Sequence, residues 1–213
     1  MKVAIYDLDK TLVRRATFTP FLAFAARRLA PGRLVLMPVW VLLMIGYRIG
    51  FYDRTRLKTM GMWLMLGRRE LAELQAIGRG FADAHLDRAG WMEGVIAMVE
   101  EDRSAGRRLA IATAAFEFYA SAFAQKLRID EVIATRWDGI AIPGGNCYGA
   151  AKCKRVADWL GEDPDKAGMR FVSDSFADEP LLELADDPVF VTQSAAKQKR
   201  AEARGWRVID GSL

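Results

Sequence analysis

Two carboxylates, Asp7 and Asp9, directly follow the hydrophobic run Val3–Tyr6 near the start of the sequence. The run is rich in β-branched and aromatic residues, which predicts a buried strand. Alternate positions of an extended chain share a face, so both carboxyl groups point the same way. At the carboxyl end of a strand they would lie where open α/β sheets bind ligands. Because neighbouring carboxylates repel unless a cation or proton lies between them, the pair predicts a metal site and an acid–base pair.

Further polar residues follow other predicted strands or begin helices. Thr113 closes a strand just before a helix, where free backbone N–H groups can hold a phosphate. Lys152 begins a helix after the glycine-rich stretch 143–149, and Asp174 and Asp178 follow a third strand. The only histidine is His85, which excludes a His-rich metal site and a Ser-His-Asp triad. Carboxylates must therefore do the chemistry.

Strands and helices alternate along most of the chain. From residue 91 we predict a helix to about 104 and further helices at 116–127, 152–160 and 195–204. The predicted strands are 3–6, 108–113, 132–135, 139–142, 169–172, 189–191 and 206–209.

Helical patterns alone fill the segment after the first strand. Thr19 and Pro20 predict a helix start, with Thr19 as the cap, and Pro31-Gly32 its end. An apolar run follows at 34–46, and Asp53 predicts the cap of a helix ending near Gly67. A stripe then marks a fourth helix, in which His85 is expected to be structural: Leu71, Leu74, Gly78, Phe81 and His85.

The pattern predicts an α/β fold with a Rossmann-like, doubly wound parallel sheet and an α-helical cap inserted after the first strand. We assign residues 1–13 and 89–213 to the core domain and 14–88 to the cap. Thirteen basic and five acidic residues give the cap a charge of +8, whereas the whole chain is +4. The excess positive charge indicates an anionic partner for the cap.

The location is expected to be cytoplasmic. Cys147 and Cys153 lack zinc-site spacing, which favours a reducing compartment, and Met1 runs almost directly into the first strand, leaving no room for a targeting peptide. The basic residues are not interleaved with aromatic ones, so no nucleic-acid partner is expected.

Four motifs of this chain, and their order in the sequence, resemble those of the haloacid dehalogenase superfamily of phosphohydrolases. The motifs are Asp7-Leu-Asp9-Lys-Thr11, Thr113, Lys152, and Asp174 with Asp178. The resemblance covers essentially the whole chain, and the insertion is similar to the cap of the phosphoserine-phosphatase-like branch, subfamily IB.

The resemblance implies a Mg²⁺-dependent phosphatase with an aspartyl-phosphate intermediate on Asp7. Asp9 would be the acid and base, and Mg²⁺ would be held by Asp7, the Asp9 carbonyl and Asp174. Asp178 would anchor a metal-bound water or orient Lys152, or it is simply a helix N-cap. The phosphate would be bound by Lys152, the Thr113 hydroxyl and the N–H groups of Leu8 and Ala114.

The substrate stays open between a small phosphomonoester, such as a phosphorylated amino alcohol, and a lipid-linked one. Related phosphoserine phosphatases carry an acidic residue after the first motif, where this chain has Arg14 and Arg15. These arginines disfavour an ammonium group and are candidate specificity residues, or they form a solvated basic turn.

The apolar run at 34–46 is too short to span a bilayer. It is either a buried cap helix or a helix at the membrane interface, in which case the protein would lie on the inner face of the membrane. The run resembles the apolar cap segment of bacterial phosphatidylglycerophosphate phosphatases.

Two non-hydrolase classes remain as alternatives. One is a non-catalytic protein that binds membranes or anions through the basic cap. The other is a receiver-type phosphoacceptor domain, whose phosphorylated aspartate would lie on a later strand. The intact motif set argues against the first and the position of Asp7 against the second. Oligomeric state is not predicted.

Overall fold

The computed structural model describes residues 2–161 and 168–211, so positions 1, 162–167 and 212–213 of the predicted core domain lie outside the described residues. Within these ranges one parallel sheet forms the centre of the molecule. Its strands are β1 (Val3–Tyr6), β2 (Arg108–Phe116), β3 (Glu131–Thr135), β4 (Met169–Ser173), β5 (Asp187–Val191) and β6 (Arg207–Ile209).

Helices flank the sheet and fill the segment after β1. In the described ranges the α-helices are α1 (Phe18–Leu29), α2 (Met37–Arg48), α3 (Arg54–Met65), α4 (Leu71–Ala89), α5 (Glu93–Ser104), α6 (Glu117–Lys126), α7 (Ala150–Leu160), α8 (Glu179–Leu182) and α9 (Ala195–Glu202). Two 3₁₀ helices cover Pro31–Leu36 and Phe176–Asp178.

The strand order is β3-β2-β1-β4-β5-β6, and every pairing is parallel. This order confirms the predicted Rossmann-like, doubly wound sheet. The chain reverses its direction of winding at β1, between β2 and β4, and such a switch point opens a crevice beyond the carboxyl ends of the strands. Every residue of β1 and β4 is buried, because helices cover both faces of the sheet.

Helices α1 and α4 pack against the sheet domain through aromatic rings. Phe21 of α1 stacks on Tyr119 of α6 with ring centroids 4.8 Å apart, and its ring also meets Phe81 of α4 edge-on at 5.4 Å. One hydrophobic cluster therefore includes residues of the predicted cap and of the sheet domain. The limits of the cap at 14 and 88 stay a prediction.

Two local predictions outside the pocket were wrong. Helix α1 begins at Phe18, so Thr19 lies inside it and its hydroxyl accepts a hydrogen bond from Trp40 Nε1 (3.3 Å). Residues 139–142 form no strand, because the Asp138 carboxylate accepts hydrogen bonds from the N–H groups of Ile140 and Ala141 (2.8 and 2.7 Å) and closes a turn instead.

The fourth-helix stripe is confirmed except at its first residue. Leu74, Gly78, Phe81 and His85 are buried along α4, whereas Leu71 at the helix start is 42% exposed. Burial lowers the pKa of His85, and its Nε2 lies 3.1 Å from the Arg15 carbonyl oxygen. His85 is therefore a structural residue, as predicted.

Candidate active site

Three buried charged side chains from distant parts of the chain meet at the crevice between β1 and β4. Lys152 Nζ donates to Asp7 Oδ1 (2.8 Å) and to Asp178 Oδ2 (2.7 Å). All three side chains are almost completely buried. Asp7 follows β1, Lys152 lies in the first turn of α7, and Asp178 follows β4, so the parallel sheet brings together residues 145 positions apart.

For both Asp7 and Lys152, burial and the neighbouring opposite charge shift the pKa in opposite directions. Burial is the main influence on Asp7 and raises the pKa of its carboxyl group to about 7; Lys152 opposes this rise, while Asp178 and Asp174 add to it. Burial alone would lower the pKa of Lys152, but Asp7 and Asp178 together raise it above its ordinary value. Lys152 is therefore a fixed positive charge, and Asp7 needs more positive charge to be fully ionised.

Asp178 occupies the N-cap position of α8, but its carboxylate makes no capping hydrogen bond. Its Oδ2 instead accepts hydrogen bonds from Lys152 and from the Ser173 hydroxyl (2.7 Å). The structure therefore favours the role of orienting Lys152 over that of a simple helix cap. Among the described residues, Asp178 Oδ1 is one of two buried side-chain polar atoms without a hydrogen-bond partner.

The carboxylate of Asp9 is held by a residue at the entrance to the helical segment. Asp9 Oδ1 accepts hydrogen bonds from the backbone N–H (2.9 Å) and the hydroxyl (2.7 Å) of Thr17, the N-cap residue of α1. The Thr17 hydroxyl lies 3.2 Å from the buried phenol oxygen of Tyr119. Asp9 is half-buried and lines the same pocket as Asp7, as an acid–base group beside a nucleophile must.

Thr11 joins the loop after β1 to the loop after β4. Its buried hydroxyl accepts a hydrogen bond from the N–H of Asp174 (3.1 Å). The Leu8 carbonyl accepts hydrogen bonds from the N–H groups of Thr11, Leu12 and Val13, which folds the first loop tightly behind the carboxylates. Leu8 itself is buried, so it reaches the site only through its backbone.

The carboxylates fit a hard divalent cation. Burial raises the pKa of Asp174 to about 6, against the opposing charges of Lys197 and Lys10. The raised pKa values of Asp7 and Asp174, together with the unpartnered oxygen of Asp178, are those of acidic groups whose nearby positive charge does not balance their burial and mutual repulsion.

No group of three or more acidic, histidine or cysteine side chains in the described parts of the chain could hold a metal by itself. Mg²⁺ fits such an open set, because it usually takes one or two carboxylates and completes its shell with water and substrate oxygens. Asp7, Asp174 and the Asp9 carbonyl are the residues that would supply the protein ligands.

The predicted phosphate-binding residues Thr113 and Ala114 lie within β2, which continues to Phe116, so Thr113 does not close the strand as predicted. The register of β2 with β3 shifts between Ala112 and Phe116. The buried Thr113 hydroxyl accepts a hydrogen bond from the N–H of Ala115 (3.1 Å), and Thr113 and Ala114 line the pocket. The Ala114 carbonyl lies 2.8 Å from the Thr135 hydroxyl.

Lys58 of α3, which the sequence did not single out, reaches the same part of β2. Its ammonium donates to the Ala114 carbonyl and to Asn146 Oδ1 (3.0 Å) and lies 5.0 Å from the ring centre of Phe116. Burial is the main cause that lowers the pKa of Lys58 to about 7. Lys58 therefore connects the helical segment to the part of β2 predicted to bind phosphate.

The pocket above these residues has a volume of about 440 Å³. Besides Lys152, three cationic side chains line it: Lys10, Arg54 and Lys197. Arg54 begins α3, and its guanidinium carbon lies 4.0 Å from the ring centre of Tyr148. Helix α3 therefore provides a cation at the pocket wall. From the sequence, only the excess of basic over acidic residues in the cap indicated that the cap could supply a cation to the site, and it did not single out Arg54.

Arg14 and Arg15 do not line this pocket. The Arg14 side chain is exposed and donates from Nε to the Trp91 carbonyl (2.7 Å), and Arg15 is also exposed. The structure brings the other predicted residues together but leaves these two outside, because the chain turns away at Val13, whose backbone pairs with Trp91.

The family follows from comparison of the sequence. A sequence profile of the haloacid dehalogenase-like hydrolases matches residues 4–183. The chain belongs to this family. It is therefore a hydrolase of the haloacid dehalogenase type, and the predicted family and enzyme class are confirmed. The likeness of its cap to that of phosphatidylglycerophosphate phosphatases stays a prediction.

This haloacid dehalogenase-like hydrolase is similar to individual proteins in sequence and in structure. The inhibition of morphological differentiation protein of Streptomyces azureus is 25% identical over 220 residues, which cover 97% of this chain and 77% of that protein. A protein of unknown function from Bordetella pertussis Tohama I superposes with a TM-score of 0.83 at 27% identity, over 99% and 98% of the two chains. A phospho-aspartyl intermediate analogue of phosphoserine phosphatase has a TM-score of 0.59 at 16% identity, over 98% and 92%, which shows a shared fold.

Proposed function

We propose that this protein is a Mg²⁺-dependent phosphomonoester hydrolase that acts through an aspartyl-phosphate on Asp7. The observation that carries the proposal is the buried contact of Lys152 with both Asp7 and Asp178, which line the same pocket as Asp9. A lysine held by two carboxylates has its ammonium fixed where a phosphoryl group would approach Asp7.

In the proposed reaction the free Asp7 oxygen attacks phosphorus, and the bond from phosphorus to the leaving oxygen breaks. Asp9 gives its proton to that oxygen and then takes a proton from the water that hydrolyses the aspartyl-phosphate. Phosphate leaves, and Asp9 is protonated again for the next cycle. Thr17 orients Asp9 in both steps through its two hydrogen bonds to Oδ1.

The phosphoryl oxygens would be bound by Lys152, the Thr113 hydroxyl and the backbone N–H groups of Leu8 and Ala114. When bound at Asp7, Asp174 and the Asp9 carbonyl, Mg²⁺ supplies positive charge that offsets the repulsion between Asp7 and the phosphate. Asp178 holds Lys152 in place through a hydrogen bond of 2.7 Å.

For the substrate we propose a phosphomonoester whose leaving group has no ammonium group beside the phosphate. The cations Lys10, Arg54 and Lys197 line the pocket, and the acidic residues that line it are Asp7, Asp9, Asp174 and Asp178, which the reaction uses. A second anionic group on the substrate would meet Arg54 favourably, whereas the ammonium of phosphoserine would be repelled.

The proposal is tested by hydrolysis of p-nitrophenyl phosphate with and without Mg²⁺. We expect turnover that EDTA abolishes and that added Mg²⁺ restores. Asp158→Asn changes an exposed acid on α7 and is the control for substitutions of the aspartates in the pocket. It should keep full activity. Activity that persists in EDTA, or no hydrolysis of any phosphomonoester with Mg²⁺, would contradict the proposal.

The substrate class is tested with a panel under the same conditions. It contains phosphoserine, histidinol phosphate, phosphocholine, sugar phosphates and phosphatidylglycerophosphate. We expect kcat/KM to favour compounds without an ammonium group, and Arg54→Gln to reduce this preference. A preference for phosphoserine or phosphocholine that Arg54→Gln leaves unchanged would refute the proposed selectivity.

A further inference from the structure

The helix α2 presents an apolar face to solvent. Leu42, Ile45 and Ile49 are exposed along one side of the helix, and Leu42 is 66% exposed. Val35 before the helix and Phe51 after it are also exposed, at 77% and 76%. We call these five residues the α2 face. Contiguous exposed apolar surface of this kind is typical of a site that docks on a partner or a membrane.

The opposite side of α2 is apolar as well and holds the helix in place. Trp40 is the one residue of α2 that is buried, and its Nε1 donates to the Thr19 hydroxyl of α1 (3.3 Å). Leu43 and Met44 pack against the hydrophobic core. Because this inner side already supplies the packing that anchors the helix, the apolar α2 face has no role in the fold of the described chain.

The charge around α2 is entirely positive in sequence. From Lys10 to Tyr52 the chain has seven basic residues and no acidic one. Arg48 is exposed at the end of α2 beside Ile45 and Ile49, and Arg27 and Arg28 are exposed on α1. The next acid, Asp53, accepts a hydrogen bond from the Arg56 N–H (2.7 Å) as the N-cap of α3. An anionic partner complements such a surface.

We propose that the α2 face docks this protein on the surface of an anionic lipid bilayer, with α2 lying in the plane of the interface. A helix with exposed apolar residues and flanking arginines matches this mode of binding. In the described chain no helix combines the length and the hydrophobicity needed to cross a bilayer. A symmetric dimer through this face would bring Arg48 of one copy towards the same face of the other, which charge repulsion disfavours.

Docking would bring the pocket close to the lipid headgroups. Phe51 lies three residues before Arg54, which lines the pocket and stacks on Tyr148. The pocket wall at Arg54 and the α2 face are therefore connected by the short segment between α2 and α3. The docking proposal does not depend on the proposed reaction, since it concerns a surface and not the carboxylates.

Co-sedimentation of the full chain with vesicles tests the proposal. The vesicles contain either phosphatidylcholine alone or phosphatidylcholine with phosphatidylglycerol, at low and at high salt. We expect sedimentation with the anionic vesicles, weakened by salt. Leu42→Gln with Ile45→Gln should weaken vesicle binding on the order of tenfold or more, because two large apolar side chains no longer enter the interface.

The control variant is Leu184→Gln, which alters an exposed leucine between α8 and β5 in the sheet domain. It should bind vesicles like the wild type, and hydrolysis of p-nitrophenyl phosphate in solution should be unchanged in all three proteins. That solution assay separates a failure of docking from a failure of the proposed reaction.

Three results would overturn docking on lipid. One is a wild-type protein that stays in the supernatant with anionic vesicles at low salt. Another is equal vesicle binding by the Leu42→Gln/Ile45→Gln variant. The third is a dimer in analytical ultracentrifugation that this variant abolishes without any vesicle binding by the wild type, which would assign the α2 face to a second copy of the chain.

Discussion

Thr17 donates two hydrogen bonds to a single oxygen of Asp9, one from its backbone N–H (2.9 Å) and one from its hydroxyl (2.7 Å). Thr17 is also the N-cap residue of α1, where the helical segment begins. The orientation of the proposed acid–base group therefore depends on how that segment leaves the sheet domain.

Replacement of Thr17 tests this relationship. Thr17→Val keeps the shape and the backbone hydrogen bond but removes the hydroxyl, and a hydrogen bond to a charged group is worth about 1.5–3 kcal/mol. We expect kcat for an alkyl phosphate to fall about tenfold to a hundredfold with little change in KM. Thr17→Ser should restore most of the activity. Equal losses in the Val and Ser variants would show that packing, and not the hydroxyl, matters.

The buried Lys58 predicts a particular dependence of stability on pH. Burial lowers the pKa of Lys58 to about 7 in the folded protein, whereas an unfolded lysine has a pKa of about 10.4. Between these values the unfolded chain binds more protons than the folded one. The free energy of unfolding that Lys58 contributes must therefore rise with pH through this window, and below about pH 7 the folded protein has to bury the charge.

The measurement compares urea unfolding of the wild type and Lys58→Met at several pH values. The free energy of unfolding of the wild type minus that of the variant should increase between about pH 7 and pH 10, by up to about 1.4 kcal/mol per pH unit. The lost hydrogen bonds to Ala114 and Asn146 add a constant offset. A difference that is flat, or that falls with pH, would refute a lowered pKa.

Gly78 of α4 lies against the backbone of α6. A Cβ atom at this position would lie 2.5 Å from the Phe118 carbonyl oxygen and 3.0 Å from the Tyr119 Cα atom, and backbone atoms cannot move aside cheaply. Gly78→Ala should lower the free energy of unfolding by about 1–3 kcal/mol, measured by urea denaturation.

Gly80, on the same helix, is the matched control. A Cβ there would make an ordinary contact of 3.8 Å with Phe24. Gly80→Ala should be neutral or stabilise by up to about 1 kcal/mol, because alanine favours helix. If both variants behave alike, close packing of α4 on α6 is not what requires glycine at position 78.

Most motif residues were predictable because they lie close to the carboxyl end of a strand or in the first turn of a helix. The position of Asp7, Lys152 and Asp178 in sequence was enough to place them at one edge of the sheet, and they meet there. Lys58 and Arg54 were not predictable, since only the packing of α3 on the sheet domain decides which of its side chains reach the pocket.

Two local features could not be predicted from the sequence pattern. Thr19-Pro20 has the pattern of a helix start, but the helix begins earlier because Thr17 is tied to Asp9. The sequence left open whether the apolar run at 34–46 is buried or lies at an interface; in the structure Leu42 and Ile45 are exposed and Trp40 is buried. Periodicity could not decide this, because both sides of α2 are apolar.

Trapping the covalent intermediate tests the central claim, that Asp7 is the nucleophile, most directly. In Asp9→Asn the base that activates water is lost, but p-nitrophenolate can leave without an acid. With Mg²⁺ and p-nitrophenyl phosphate, we predict a burst of one p-nitrophenol per protein and a phosphoryl group on the peptide that contains Asp7. The double variant Asp7→Asn/Asp9→Asn should show neither. A single variant Asp7→Asn that turns over at the wild-type rate would contradict the account.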